Sequence, residues 1–159
     1  LVRSRGLGDV YKRQEPDAIR RLAALTMTGC GAQVAEKLKL SRAESERIVA
    51  LDAPRRPFDV STPQAVRREI YAYGNDGALD RLLLDWPLDD DGAKGRAALD
   101  LIKTWKRPRF PLKGADLVKL GVPQGQRIGE ILASVEAWWI EADFRPDHAA
   151  CLDKAKSLI

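Results

Sequence analysis

Residues 103–127 carry seven basic side chains, Lys103, Lys106, Arg107, Arg109, Lys113, Lys119 and Arg127, against the single acid Asp116. Charge of one sign at that density is the chemistry of polyanion binding. Such cations release the counterions condensed on a phosphate backbone, and the contact reads no bases. The same stretch holds Leu120-Gly121-Val122-Pro123-Gln124-Gly125, which reads as a connection between two helices. A helix opening at Gly125, Gln126 and Arg127 would turn free backbone N–H groups toward an anion, and glycine would let a phosphate come close. The two glycines also suit a tight helix connection with no ligand, so both readings of the loop stand.

The other chemistry-bearing residues are sparse. His148 is the only histidine and has Asp147 beside it but no second base or ligand, which suits a solvated or capping role. Asp89, Asp90 and Asp91 resemble a metal-binding run, yet three acids at a helix entrance serve as cap and dipole partners. Cys30 and Cys151 lack CxxC or Cys/His spacing, so neither a zinc site nor a disulfide framework is indicated, and free thiols in a reducing cytoplasm are expected. There is no Asp-x-Asp pair on a strand, no phosphate-binding G-x-x-x-x-G-K-[ST] loop and no Ser-His-Asp arrangement. No catalytic residue and no metal ligand is assigned.

The formal charge of +4 and pI near 9.2 overstate the case for a polyanion partner. Ser4–Gln14, SRGLGDVYKRQ, matches the in-frame translation of a transposon adapter used in sequencing libraries, and the chain does not begin with Met. Residues 1–14 are therefore expected to be non-native, disordered and dispensable. Setting them aside leaves 23 basic and 22 acidic groups. Local patterning alone then speaks for phosphate. No run approaches the roughly 18 apolar residues of a membrane-spanning helix.

The elements that must position these residues read at helical period almost throughout. Asp17 caps a helix over 18–26, and a second follows from about Ala32 to Lys39. Ser41 and Glu44 form a capping box that opens a third, with Ile48, Val49 and Leu51 on its apolar side. The stretch 53–61, with Pro54, Arg55, Arg56 and Pro57, is the candidate linker between two lobes. Thr62 and Pro63 start a helix that ends before Gly74, and another begins near Asp76 with Leu79, Leu82, Leu83 and Trp86 as its stripe. Helices over 92–106, 114–120, 124–143 and 146–158 complete an all-α chain of about eight helices in one or two small lobes. The regions expected are 1–14, 15–60 and 61–159. In the long helix, Trp138 continues the Ile131–Val135 stripe and is expected in the core, although Trp138 and Trp139 also have the chemistry to stack on bases. Arg55, Arg56, Arg67 and Arg68 extend the basic track only weakly, because Asp59 and Glu69 accompany them.

Phe110–Phe144 reads FPLKGADLVKLGVPQGQRIGEILASVEAWWIEADF. This resembles the C-terminal region of bacterial-type enzymes of the CCA-adding tRNA nucleotidyltransferase and poly(A) polymerase family. The pattern is carried by Pro111, Gly114, Asp116, Leu117, Leu120, Gly121, Val122, Pro123, Gly125, Ile128, Gly129, Leu132, Trp138, Trp139 and Phe144, and Leu38–Glu44 is similar to the family's body region. Lys113 departs from the small or hydroxyl residue commoner in relatives and adds a charge.

The resemblance implies the helical body and tail of a class II nucleotidyltransferase, separated from its catalytic head. The tail that contains Trp138-Trp139 leans toward the CCA-adding enzyme over the poly(A) polymerase; a free-standing helical interaction module is the third reading. It further implies tRNA as partner, a missing N-terminal head of the same polypeptide, a cytoplasmic setting and no membrane. Magnesium, ATP and CTP are implied for the intact enzyme and no cofactor for this portion, which should be inactive alone. The residues expected to meet RNA are Lys103, Lys106, Arg107, Arg109, Lys113, Lys119, Gly125, Gln126 and Arg127.

Overall fold

The computed structural model describes residues 16–26, 28–53, 56–85 and 92–159. Among these residues there are eight helices and no strand, so the chain is all-α as expected. The expectations for residues 1–14, for Trp86, for Asp89, Asp90 and Asp91, and for Pro54 and Arg55 in the linker lie outside the described residues.

The helix starts follow from local chemistry. The Asp17 carboxylate accepts the Arg20 backbone N–H at 2.8 Å and opens α1, Ala18–Leu25. Gly31–Lys37 forms α2 and Arg42–Asp52 forms α3. At the head of α3 the Ser41 hydroxyl accepts the Glu44 N–H at 3.4 Å, while the Ser41 N–H donates to the Glu44 carboxylate at 2.9 Å. This exchange satisfies two donors a helix start leaves open. The same hydroxyl and N–H hold the Glu44 carboxyl below the usual carboxylate range.

Gly31 is where α2 meets the end of α3. Its N–H donates to the buried Asp52 carboxylate at 2.6 Å, and a Cβ added there would lie 3.0 Å from the Asp52 Cβ and 3.2 Å from the Ile48 carbonyl oxygen. The missing side chain is what allows that approach.

Thr62 caps α4, Pro63–Leu84, accepting the Ala65 N–H at 3.1 Å, and Pro63 occupies its first turn. Gly74 breaks the helix with φ 72° and ψ 170°, a conformation that favours glycine. The break corresponds to the end and restart read from the sequence. Directly after it, the Asn75 amide donates to the Ile102 carbonyl at 2.6 Å and the Trp105 carbonyl at 3.1 Å. These acceptors lie at the end of α5, Ala93–Thr104, where the helix leaves carbonyls open.

The described residues group into two compact units that divide between Trp105 and Lys106. That differs from a division at 53–61, and buried charge is the reason. In the first unit α1 and α2 pack on α3, α4 packs on α5, and α1 touches α4. Ile19, Ala35 and Ile48 form one apolar cluster; Phe58, Val66, Ile70, Ala78, Leu82, Ala98, Leu99 and Ile102 form another. Asp80 on α4 takes Arg20 of α1 at 2.9 Å and Arg47 of α3 at 2.7 Å, and Arg47 also reaches Asp17 at 2.9 Å. One carboxylate thus ties both sides of the linker into a single body. Val49, read as part of the apolar side of α3, is instead 44% exposed.

In the second unit α7, Gln126–Glu141, packs against both α6, Gly114–Lys119, and α8, His148–Lys156. The buried residues are Leu112, Leu117, Val122, Ile131, Val135, Trp139, Cys151 and Ala155. Here the expectation for Trp138 is corrected. Ile131, Val135 and Trp139 recur at four-residue steps and form the buried line, with Trp139 only 2% exposed, while Trp138 is half-buried beside it. Phe110 and Phe144 meet the Trp139 ring edge-on, with centroids 5.5 and 5.1 Å away, and its indole N–H donates to the Pro146 carbonyl at 2.9 Å.

Candidate nucleic-acid interface

All seven basic side chains between Lys103 and Arg127 are exposed. The fold assigns them to different elements. Lys103 lies in the last turn of α5, in the first unit, where a cation also complements the partial negative charge of a helix end. Lys106, Arg107 and Arg109 lie in the non-helical stretch that leads into the second unit. Phe110, seated on Trp139, and the buried Leu112 anchor the far end of that stretch. Lys113 immediately precedes α6 and Lys119 ends it.

Asp116 is the acid of this run, and its surroundings offset it. Its carboxylate accepts the Lys113 backbone N–H at 2.9 Å, closing the first turn of α6, and lies 3.6 Å from the His148 imidazole. The Lys113 N–H, with smaller help from His148 and Lys119, holds the Asp116 carboxyl below its usual range. His148 therefore faces an acid of another helix, while the cap of α8 is Asp147, whose carboxylate accepts the Ala150 N–H at 2.9 Å. Nothing in the local sequence marked the His148–Asp116 approach, which the fold alone brings about.

The loop from α6 to α7 is built on a buried plug. The Leu120 and Val122 N–H groups both donate to the Leu117 carbonyl, at 3.0 and 3.1 Å, and the Val122 side chain is buried. Gly125, at φ 148°, turns the chain into α7 through backbone that side-chain-bearing residues rarely adopt. As the N-cap of α7, Gly125 has no side chain with which to cap its first turn. The positive end of a four-turn helix is thus exposed at Gly125 and Gln126.

Two expected RNA contacts are partly engaged within the protein. The Gln126 amide donates to Glu130 at 3.0 Å, and the Arg127 guanidinium lies 3.5 Å from the other Glu130 oxygen while donating to the Leu158 carbonyl at 2.8 Å. Glu130, which carries no signal in the sequence pattern, governs how far these two side chains are available. In the first unit Arg56 lies 2.6 Å from the buried Glu69 carboxylate, so it is held by the fold as well as facing water. Among the described residues no group of three or more His, Cys, Asp or Glu is placed to hold a metal ion, and no helix is long and apolar enough to cross a membrane.

A stretch of 47 residues, 30% of this chain, is 40% identical to CCA tRNA nucleotidyltransferase 1, mitochondrial, of Danio rerio. The chain also matches the uncharacterized 28 kDa protein in the petA 5′ region of Rhodospirillum rubrum, 31% identical over 112 residues, 64% of the chain. It spans 11% of the length of the first and 44% of the second. No family model and no solved structure matches.

Proposed function

We propose that this chain is an RNA-holding portion of a CCA-adding tRNA nucleotidyltransferase. It would grip the acceptor side of tRNA through phosphates while a separate catalytic head performs nucleotide addition. The observation that carries the reading is the exposure of every basic side chain from Lys106 to Arg127 around a helix pair whose second member starts uncapped. Exposed cations with an open helix start match what a phosphate backbone requires. The partial similarity to the Danio rerio enzyme supports tRNA over other polyanions and favours CCA addition over poly(A) synthesis. The described residues do not fit the magnesium of that chemistry, having no carboxylate cluster. Metal and nucleotides would belong to the head, and the chain alone would transfer no nucleotide.

The test is tRNA affinity as a function of salt for the wild type and the triple variant Lys106→Ala, Arg107→Ala, Arg109→Ala, with circular dichroism to confirm folding. The slope of log affinity against log salt should fall by roughly 0.7 to 0.9 for each phosphate that the variant no longer neutralises, equally for every tRNA. Superimposable salt titrations would reduce the basic run to a solvated face and overturn the reading.

A further inference from the structure

A second cluster, in the first unit, has the chemistry to take a nucleobase rather than a phosphate. Tyr73 is 50% exposed although it sits on α4 immediately before the Gly74 break. One face of its ring is covered by the Arg81 guanidinium, whose central carbon lies 3.9 Å from the ring centroid. Arg81 is buried and cannot drift. One of its terminal nitrogens lies 3.0 Å from the Glu69 carboxylate, the other donates to the Arg56 carbonyl at 3.0 Å, and its Nε has no hydrogen-bond acceptor among the described residues. The π-face of Tyr73 is thus the group that Arg81 offers its remaining charge to.

A Cβ on Gly77 would lie 3.2 Å from the Tyr73 Cβ, so glycine there avoids crowding the root of the Tyr73 side chain. On the other side of the buried Glu69, Arg56 approaches the carboxylate at 2.6 Å with its side chain 63% exposed. Arg56 and Arg81 thus share the Glu69 carboxylate, with Asp59 also acting on Arg56, and Arg81 is the member of the cluster that meets the exposed aromatic ring.

We infer that Tyr73 is a stacking platform for an unpaired RNA base, with its ring backed by Arg81. An ordinary exposed tyrosine must lose side-chain freedom to stack. This ring is already held in place by a buried arginine that is itself held by Glu69, so little ordering remains to oppose binding. The guanidinium draws electron density from the ring and favours stacking of an electron-rich base on the open face. A single-stranded segment fits this site better than the body of a duplex, because bases inside a duplex are already stacked on their neighbours on both faces.

The inference rests on the RNA-holding reading, and the experiment separates the two. Binding of a labelled short oligoadenylate and of a blunt RNA duplex is measured for the intact chain, for Tyr73→Phe and for Tyr73→Leu. Tyr73→Leu should weaken oligoadenylate binding by roughly ten-fold, the scale of a single aromatic–base stack, and leave duplex affinity unchanged, while Tyr73→Phe behaves as wild type. In the unaltered protein, the Tyr73 ring resonances should move upfield on adding oligoadenylate, a readout independent of whether a variant folds. Unmoved Tyr73 resonances, or equal oligoadenylate binding by a folded Tyr73→Leu, overturn the stacking site while the phosphate grip stands. A wild type that binds neither RNA overturns both.

Discussion

The two units differ in whether they bury arginine. In the first, Arg20 and Arg81 are buried at 7% and 4% exposure and neutralise Asp80 and Glu69 inside the fold, with Arg47 and Arg56 reaching in from the surface. In the second, the buried residues are apolar or a thiol, and all six basic groups from Lys106 to Arg127 face water. A count of positive charge is therefore no footprint of a polyanion site. What matters is whether the fold has already given the cation a carboxylate. Arg127 of the second unit is an intermediate case, exposed but drawn toward Glu130 at 3.5 Å.

If the comparison is right, removing one carboxylate should damage the first unit far more than removing several cations damages the second. Asp80→Ala takes the shared carboxylate from the buried Arg20 and leaves Arg47 with Asp17, and should cost about 3–5 kcal/mol, the scale for a buried pair that loses one partner. Hydrogen exchange on the intact chain should show α1, α3 and α4 opening more readily and α7 unchanged. Wild-type protection of those three helices in a folded Asp80→Ala protein would break the contrast.

The second unit should be sensitive instead to its aromatic centre. Trp139→Ala removes the ring between Phe110 and Phe144 and should also cost about 3–5 kcal/mol. Trp138→Ala, at a half-buried position, should cost about 1 kcal/mol. Thermal unfolding of the two variants side by side checks the order, and equal losses would mean that the α7 register is not the one described.

Acid offers the gentlest probe. Burial pulls the Asp17 carboxyl upward, but the Arg20 N–H and the Arg47 guanidinium pull it down further, leaving it below its ordinary value of 3.8. Ionised Asp17 consequently stabilises the fold in full above that unfolded value, and the contribution is lost as pH falls through the lower folded value. Melting temperature measured from neutral pH down through this range should drop less steeply for Asp17→Asn than for wild type. Parallel curves would show that Asp17 does not sense the guanidinium beside it.

Much of the secondary structure was legible because its causes are local. Asp17, the Ser41–Glu44 box, Thr62-Pro63 and Asp147 start helices through hydrogen bonds that span three residues, and Gly74 interrupts one through its own backbone freedom. The exposure of the basic run was legible for a similar reason, since seven cations with one acid cannot all be neutralised by their sequence neighbours. Three features were not. Trp138 and Trp139 both fit a helical stripe, and only the placement of Phe110, Phe144 and the Pro146 carbonyl selects Trp139. The Pro-rich stretch 53–61 looks like a boundary, yet Asp80 binds arginines from before it. The hydrogen bond from Arg127 to Leu158 joins residues 31 apart, beyond the reach of any local pattern.

By itself, then, the sequence determined an all-α chain, the points where its helices begin and break, and a run of cations that must face water. Period, capping and local charge excess act over a few residues and can be read in order along the chain. Tertiary structure decided which arginines are consumed inside the first unit, which of two adjacent tryptophans fills the second, and that His148 stands beside Asp116. Those outcomes depend on groups brought together from distant positions, where a buried charge or ring is stable only if its partner arrives with it.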